Sequence, residues 1–461
     1  MINRFTAARA GVSGSAVTTL CKVLLIGLVV VLAAQLRFGA VANTTVDNPV
    51  RADARAYVIY AYNIRHHGVY SRSEVGIADP GGRVEPDAVR APGYPLFLSL
   101  LIDQITFSEL AKVTSIQALA STTVVLITYF VCAQLVSWWL AIAVSFFVAI
   151  SPHLINANVY ILTESMATFV LMVFTVGVVC AAKRRSLFFW FLVGAFLGVC
   201  ALVRPAFQYF PPLLACFLFF QFEKRAAWRY ALSMVLGFLA LMLPWVLRNI
   251  AVLGQMSDPH LMINFLHHGM YPSFVYGGDS TTFGFPYRYD PDSHVIAQSV
   301  SSVLKHIFSS VLSDPLLYLR WYFCEKPAFL WSWSIVQGAG DAFVYPVLKS
   351  PYVESVLFQI THAISAWTHL PSVILALIGS VVVWLPCSKA CFREHSLLIV
   401  RVFSLLIVYY TALHMIGAPF PRYSVPFRPL MYIMSAVGLW ATLSAVGVWR
   451  LNWVNRRNRG S

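Results

Sequence analysis

Charged residues are scarce in this chain, and their scarcity is the first indication of its class. Of 461 residues, 11% are charged and 59% are hydrophobic, and the mean hydropathy is +0.70. A soluble protein of this length would carry far more charge. Apolar runs long enough to cross a bilayer recur along the chain. The composition therefore predicts an all-α polytopic membrane protein, with about ten or more transmembrane helices.

Acidic residues are scarcer than basic ones: 19 Asp and Glu stand against 33 Lys and Arg, for a net charge of +14. An excess of this size can indicate a nucleic-acid partner. Much of it, however, belongs to clusters that flank apolar segments, where basic residues face lipid headgroups. We therefore expect a lipid bilayer and no nucleic acid as the partner of these charges.

Cysteines and repeats are also few. Of eight cysteines, only Cys324 lies well inside the polar and aromatic segment 249–368, which argues against a disulfide framework there. Cys387, Cys391 and His395 can share a helical face but have no obvious fourth ligand, so we do not expect a metal site. The sequence has no internal repeat. It also has no evident cleavable signal sequence, so the first apolar segment is expected to remain as a membrane anchor.

Ten apolar segments are predicted to cross the membrane. They lie near 21–41, 114–136, 137–155, 165–182, 187–203, 209–222, 230–248, 369–386, 396–416 and 426–448. Segment 92–108 is shorter than a span and is interrupted by Asp103, so we expect it to lie at the outer interface or to dip into the membrane without crossing it. With that choice the N-terminus, with Arg4 and Arg9, and the cluster 183–185 fall on the cytoplasmic side, as the positive-inside rule requires.

This topology divides the chain into three regions. They are a transmembrane catalytic module at 1–248 with a first outer loop at 42–113, a long outer loop at 249–368 with helices near 295–312 and 314–330, and C-terminal spans with a basic cytoplasmic tail at 369–461. Asp53 and Glu164 then lie on the same, non-cytoplasmic side.

The segment after the first span contains the most informative acid. Asp53 opens a helix-like stretch that Gly68 ends, and it is a candidate N-cap. Residues 71–91 are expected to form a loop over the site. A helix cap is the simpler interpretation of Asp53, and a helix-dipole contact is the simpler one of Glu164. Ionisable groups that gather on one face of a membrane bundle are costly, however, and this favours a functional site.

Four arginines lie on the predicted outer side, where topology does not require them: Arg90, Arg204, Arg248 and Arg422. Each can anchor the protein to lipid headgroups. Each can instead hold a phosphate group through its planar guanidinium fork. The sequence leaves both interpretations open.

Short motifs occur in a characteristic order. An acid after the first span, Asp53, is followed by RAPGYPLF at 90–97, SPHLINANVYILTES at 151–165, LVRP at 202–205, PWVLRN at 244–249 and PFPRYSVPFRPL at 419–430. In this order they resemble the GT-C superfamily of membrane glycosyltransferases, especially the bacterial relatives of protein mannosyltransferases and lipid A aminoarabinose transferases. The family acid is often one of a pair, whereas Asp53 precedes Ala54, so a divalent cation remains an open question.

The resemblance implies a function at the outer face of a bacterial inner membrane. The donor would be a sugar on a polyprenyl phosphate, and the acceptor a hydroxyl group of a glycan, lipid or protein. Asp53 matches the family base, and Glu164 matches the second acid, which orients the acceptor, a basic side chain or a metal. The transfer would invert the anomeric carbon. The remaining candidates are Arg90, Arg204, Arg248 and Arg422 for the donor phosphate, and His66, His67, Tyr94 and Tyr423 for other substrate contacts.

Other classes of membrane protein also have many spans and a long outer loop. An O-antigen polymerase or ligase would depend mainly on loop arginines and histidines and would not need Asp53. A transporter would place ionisable groups near the middle of the membrane and have paired halves. A non-catalytic scaffold would not explain the ordered motifs.

Overall fold

The protein is almost entirely helical, as its composition predicts. The structure, a computed structural model, describes residues 2–79 and 81–457, with side chains described for 18–79 and 81–444. Arg4, Arg9 and the basic residues of the C-terminal tail lie outside the described side chains. Within the described part, the one sheet pairs two short strands, β1 (Thr45–Val46) and β2 (Val347–Lys349), in antiparallel orientation.

The helices fall into an N-terminal set and a C-terminal set. The first set is α1 (Ile2–Asn43), α2 (Ala52–His67), α3 (Val75–Ala78), α4 (Gly93–Ser99), α5 (Phe107–Cys132), α6 (Trp138–Ile150), α7 (Pro152–Asn156), α8 (Thr163–Arg184), α9 (Leu187–Val203), α10 (Phe210–Gln221) and α11 (Lys224–Leu253). The second set is α12 (His260–Gly269), α13 (Ser293–Ile296), α14 (Val300–Ser313), α15 (Pro315–Arg320), α16 (Lys326–Leu330), α17 (Pro351–Glu354), α18 (Val356–Val382), α19 (Ser388–Cys391), α20 (Glu394–Ile416) and α21 (Arg428–Arg457). A 3-10 segment, Pro421–Phe427, joins α20 to α21.

Six helices in the described part of the chain are long and apolar enough to cross a membrane. They are Thr18–Asn43 within α1, α5, α8, α11, α18 and α20. Two shorter apolar helices, α6 and α9, have 13 and 17 residues, and α10 has 12. The architecture is that of an all-α membrane protein, but six helices do not support the predicted count of ten or more. The difference arises because several predicted spans form helices shorter than about 20 residues.

Ion pairs mark the two opposite ends of helix α8. At one end, Arg204 at the end of α9 contacts Glu164 at the start of α8. At the other, which we call the basic end, Arg185 just beyond α8 contacts Glu394 at the start of α20. Segment 92–108 contains only α4, whose seven residues span about 10 Å. Its length agrees with the prediction that this segment does not cross.

Helices α9 and α11 approach each other to backbone contact through glycines. A Cβ added at Gly194 would lie 1.7 Å from the carbonyl oxygen of Met234, and one added at Gly237 would lie 2.0 Å from that of Phe191. A residue without a side chain is therefore required at this crossing, as is common where membrane helices pack closely. The crossing determines how far α9 stands from α11, and α9 carries Arg204 at its end.

In the segment between α1 and α5, helix α2 ends as predicted but starts differently. Gly68 ends the helix in a left-handed conformation (φ 65°). The N-cap, however, is Arg51, and Asp53 is the second helical residue, so the prediction that Asp53 caps α2 is wrong. Its carboxylate turns toward arginines rather than toward the helix amides. The loop that follows is held to α2 by Asn63, which donates hydrogen bonds to backbone oxygens of the loop at 2.9 and 2.8 Å.

The long segment between α11 and α18 contains the predicted helices, here α14 and α15–α16. Its end differs from the prediction, because α18 begins at Val356 rather than near 369. Polar residues in the first two turns, such as Gln359 and His362, lower the hydropathy there and obscure the start of the helix. The largest hydrophobic core cluster contains buried residues from many helices, the first being Ile26 and the last Ala441. Packing therefore combines the regions before 248 and after 369.

Candidate active site at one end of the helical bundle

Asp53 is held by two arginines from distant parts of the chain. Its Oδ1 accepts a hydrogen bond from Arg90 at 2.6 Å, and its Oδ2 accepts one from Arg422 at 2.5 Å. The backbone of Ala52 is left-handed (φ 46°), an unfavourable conformation for a non-glycine residue. Asp53 joins the segment after α1 to the 3-10 segment before α21.

Asp53 is ionised in this setting. Burial alone would raise the pKa of its carboxyl group, but the positive charges of Arg422 and Arg90 outweigh burial and hold the pKa at about 2. The side chain is 18% exposed, so water screens these interactions only in part. A group with this pKa is a stable anion at neutral pH and a weak proton acceptor while both arginines remain bound to it.

Glu164 forms a second, more deeply buried pair. Its Oε1 accepts a hydrogen bond from Arg204 at 2.6 Å, and the two side chains are only 4% and 10% exposed. Arg204 is the last residue before Pro205, which cannot continue α9, so the chain turns there.

The motif before Glu164 has an internal brace. Ser165 donates a hydrogen bond to the side-chain oxygen of Asn158 at 2.7 Å. Gln117 of α5 donates hydrogen bonds to the backbone oxygens of Asn158 and Tyr160 at 3.2 and 3.0 Å. These contacts hold the turn that starts α8 and thereby position Glu164.

Tyr423 links the two carboxylate pairs. Its ring centroid lies 5.6 Å from the guanidinium carbon of Arg204 and 5.6 Å from that of Arg422. Cations at this distance from an aromatic ring are attracted to it. Arg204 also contributes to the low pKa of Asp53. The two pairs therefore form one electrostatic unit, which we call the paired-acid site.

Two further tyrosines face the paired-acid site. The hydroxyl of Tyr57, one helical turn beyond Asp53 in α2, interacts electrostatically with both acids. Tyr345 of the long loop does the same. Burial raises the pKa of Tyr57 to about 12 and also raises the pKa of Tyr345. Both hydroxyls are therefore neutral at pH 7 and able to donate hydrogen bonds.

Several polar atoms of the site are buried without a hydrogen-bond partner in the protein: Glu164 Oε2, Arg204 Nε, Arg422 Nε and the Tyr345 hydroxyl. Such groups are rare in folded proteins because desolvation without a partner is costly. In addition, three guanidinium groups face two carboxylates among the described site residues, which leaves one positive charge without an acid. Both features favour a polar ligand that carries negative charge.

Arg248 lies outside the paired-acid site. It donates hydrogen bonds to the backbone oxygens of Asp87 and Tyr70 at 2.8 and 3.1 Å and stacks near the rings of Tyr70 and Trp245. These contacts brace the loop that leads to Arg90. The structure thus gives Arg248 a structural environment rather than a place beside the acids.

The other predicted contact residues are also dispersed. His66 and His67 lie at the far end of α2, about 20 Å along the helix from Asp53, and contact Asp103 and the backbone of Gly76. Tyr94 is fully buried and donates to Gln117 at 2.7 Å. Tyr423, by contrast, belongs to the paired-acid site.

Tyr57 and Tyr345 were not predicted as site residues. Tyr57 had one signal in the sequence, since position i+4 places it on the same face of α2 as Asp53. Tyr345 had none, because only the folding of the long loop brings it to the acids. The same loop brings His268 and Tyr287 near the site, where their rings stack 3.8 Å apart and Tyr287 interacts electrostatically with Arg422.

The paired-acid site does not fit a divalent cation. Among the described residues, no group of three or more His, Cys, Asp or Glu side chains can hold a metal ion. Both oxygens of Asp53 and one of Glu164 are already bound to guanidinium groups. A dication would meet Arg90, Arg204 and Arg422 at close range, and their charges oppose its binding.

Comparison with known proteins identifies the fold. No protein-family model matches the sequence, and no curated protein matches it. Among solved structures, the archaeal oligosaccharyltransferase AglB from Archaeoglobus fulgidus, in complex with an inhibitory peptide and a dolichol-phosphate, has a TM-score of 0.50 and 13% identity, over 94% of this chain and 52% of its own. The apo form of the A. fulgidus enzyme has a TM-score of 0.49 and 13% identity, over 93% and 51%.

The likeness to the complex with the inhibitory peptide and dolichol-phosphate defines a class of fold. The chain spans about half the length of the solved structures that it matches. At 13% identity the likeness concerns the fold alone, and that fold is the GT-C fold of membrane glycosyltransferases. The resemblance drawn from the ordered motifs is thus confirmed at the level of the fold.

Proposed function

We propose that this protein is a GT-C glycosyltransferase that moves a sugar from a polyprenyl-phosphate donor to a hydroxyl acceptor, at the non-cytoplasmic face of the membrane. The observation that carries the proposal is the paired-acid site, with one buried and one partly buried carboxylate, an excess guanidinium charge and unpartnered polar atoms. A sugar phosphate supplies what these groups lack, namely negative charge and hydroxyl groups.

Arg204 and Arg422 are proposed to bind the donor phosphate. Each has a buried Nε without a partner, and a guanidinium group can bind phosphate through two parallel hydrogen bonds. The phosphate leaves as an anion, so fixed positive charges stabilise the transition state without a strong general acid. The archaeal neighbour was solved with a dolichol-phosphate, which supports a lipid-linked phosphate as part of the donor.

Asp53 is proposed to be the base. The acceptor oxygen forms a bond to the anomeric carbon, the bond from that carbon to the phosphate oxygen breaks, and the hydroxyl proton passes to Asp53. Because the pKa of Asp53 is held at about 2 by its arginines, transfer to it requires that Arg422 first turn toward the donor phosphate. Loss of that contact raises the proton affinity of Asp53 at the moment when a base is needed. Attack opposite the phosphate inverts the anomeric centre.

Glu164 is proposed to position the acceptor. Its Oε1 is bound to Arg204, whereas its Oε2 is buried and unpartnered and can accept a hydrogen bond from a hydroxyl or amine of the acceptor. Tyr345 can donate a hydrogen bond on the same side. The His268–Tyr287 stack offers an aromatic surface beside the site, and the apolar face of a sugar ring is suited to such a surface.

The proposal is tested by comparing cells that express the protein with cells that express Asp53→Asn. Mass analysis of surface glycans and of polyprenyl-phosphate sugars should show one sugar missing from a surface glycan, lipid or protein, with its donor accumulated. The missing sugar and its carrier would name both substrates. Identical glycans and donors in the two strains would contradict the proposed function.

A further inference from the structure

A cavity lies at the basic end of the bundle, opposite the paired-acid site. The stretch of α8 from Glu164 to Lys183 rises about 28 Å at 1.5 Å per residue, close to the thickness of a bilayer core. Around Lys183, the end of α5 and the starts of α6 and α20 line an open cavity with a volume of about 450 Å³. We call this volume the basic cavity.

The lining of the basic cavity is positively charged. Lys183 and Arg393 both line it. Lys183 donates a hydrogen bond to the neutral side-chain oxygen of Gln134, and Arg393 has no side-chain partner among the residues that the structure describes. The neighbouring acid Glu394 is bound to Arg185 at 2.6 Å and therefore leaves these two cations uncompensated.

Two helices begin at the basic cavity. Ser137 is the N-cap of α6 and Arg393 is the N-cap of α20. The first amides of a helix and its dipole favour an anion at such a position. The hydroxyl of Ser137 is buried, does not bond to its own helix, and has no other partner in the protein. Fixed charges, helix termini and a free hydroxyl thus converge on one volume.

The rest of the lining is mixed. Leu135, Val136 and Trp440 are apolar, whereas Gln134, His395 and Ser396 are polar. A ligand that suits both the cations and the apolar side chains carries an anionic group joined to an apolar body. The cavity lies at the ends of the span-length helices α5 and α8, and basic pockets between membrane helices are suited to lipid headgroups.

We propose that the basic cavity binds the phosphodiester headgroup of an anionic phospholipid. Arg393, Lys183 and Ser137 contact the phosphate, and Leu135 and Trp440 contact the glycerol and the first part of the acyl chains. This binding site is separate from the paired-acid site, and it stands whether or not the protein is a glycosyltransferase.

The test is native mass spectrometry of the full-length protein in detergent, titrated with phosphatidylglycerol or with phosphatidylcholine. We expect the wild-type protein to retain phosphatidylglycerol in preference to phosphatidylcholine. Arg393→Ala should weaken this binding roughly tenfold, because a charge-assisted hydrogen bond is lost. Ser137→Ala should weaken it less, since a neutral hydrogen bond is weaker.

Lys389→Ala is the matched control. Lys389 is exposed in α19, close to Arg393 in the chain, but does not line the cavity, so its loss should leave binding unchanged. Thermal unfolding without added lipid checks that the variants are folded. Equal retention by Arg393→Ala and Lys389→Ala would overturn the proposal. Displacement of the lipid by millimolar inorganic phosphate would assign the cavity to a soluble anion and would also overturn it.

Discussion

Asp53 has two roles in this structure: it is an ionised carboxylate in a mostly buried position, and it brings Arg90 and Arg422 together. A carboxylate that only capped α2 would need neither arginine. The arginines in turn repel one another unless an anion lies between them. In the free protein that anion is Asp53, and in the proposed mechanism the donor phosphate takes over part of this role. The chemistry therefore depends on an exchange of partners around Arg422.

Replacement of Asp53 by Asn should separate base function from binding. Asp53→Asn removes the proton acceptor at nearly constant size, so transfer should fall by roughly 10²- to 10⁴-fold, while the donor is still bound. Initial rates and donor affinity of the purified, reconstituted variant would measure both. Asp103→Asn is the control, because Asp103 is an exposed acid at the far end of the same segment. Normal turnover by Asp53→Asn would leave the mechanism without its base.

Arg204 and Arg248 should respond differently to lysine, which keeps the charge and loses the planar fork. Arg204→Lys should raise the apparent donor KM or lower kcat by about tenfold or more, since Arg204 belongs to the paired-acid site. Arg248→Lys should change these constants much less, because Arg248 braces the loop that leads to Arg90. Steady-state kinetics at matched expression distinguish them. A larger effect at Arg248 than at Arg204 would reverse the assignment.

Divalent cations should not be required. Because the acids of the site are already paired with guanidinium groups, transfer should continue in excess EDTA at the rate measured before chelation. Assays of the purified protein before and after chelation, with Mg²⁺ and Mn²⁺ added back, check this. Loss of transfer in EDTA with recovery on metal addition would show that one carboxylate exchanges its arginine for a metal.

The elements that carry the site were only partly predictable. The body and the end of α2 follow from its apolar face and from Gly68, whereas its N-cap was wrongly predicted to be Asp53. Helix α8 follows from a long apolar run. The pairing of Glu164 with Arg204 did not follow, because it depends on how α8 and α9 pack rather than on either sequence. Likewise the start of α18 was placed too late, since its first turns contain polar residues that hydropathy does not assign to a span.

The glycine crossing of α9 and α11 should be sensitive to a single methyl group. Gly194→Ala places a Cβ against the carbonyl of Met234, so the helices must part, and the melting temperature should fall by several degrees. Gly27→Ala is the control, since a Cβ there meets nothing within 4 Å. The melting temperatures of the two variants and of the wild type are measured by thermal unfolding in the same detergent. An unchanged melting temperature for Gly194→Ala would show that the two helices can separate at little cost.

At the scale of the whole molecule, the site is assembled from every region of the chain. Asp53 comes from the segment between α1 and α5, Glu164 and Arg204 from α8 and the end of α9, Tyr345 from the long loop, and Arg422 from the segment before α21. The motifs predicted most of these residues in order, yet sequence order could not indicate that positions 53 and 422 would touch. Long-range contacts of this kind depend on the complete fold.

The folded protein should become less stable at acid pH because Asp53 becomes protonated. The pKa of Asp53 is about 2 in the folded protein against an ordinary value of 3.8, so the unfolded chain binds the proton more readily. The stabilisation is therefore complete above about pH 4 and is lost as the pH falls toward 2. The difference in melting temperature between wild type and Asp53→Asn should shrink over this interval. With Asp103→Asn, whose acid is exposed, the difference should stay small throughout.

The contact between Arg422 and Asp53 also sets an order of events during biosynthesis. The two residues are separated by 369 positions, and at 5–20 residues per second the second is made roughly 20 to 70 s after the first. Through that interval Asp53 has at most one of its two arginines. A nascent chain, or one released early, consequently has no complete paired-acid site until the segment that follows α20 has been made.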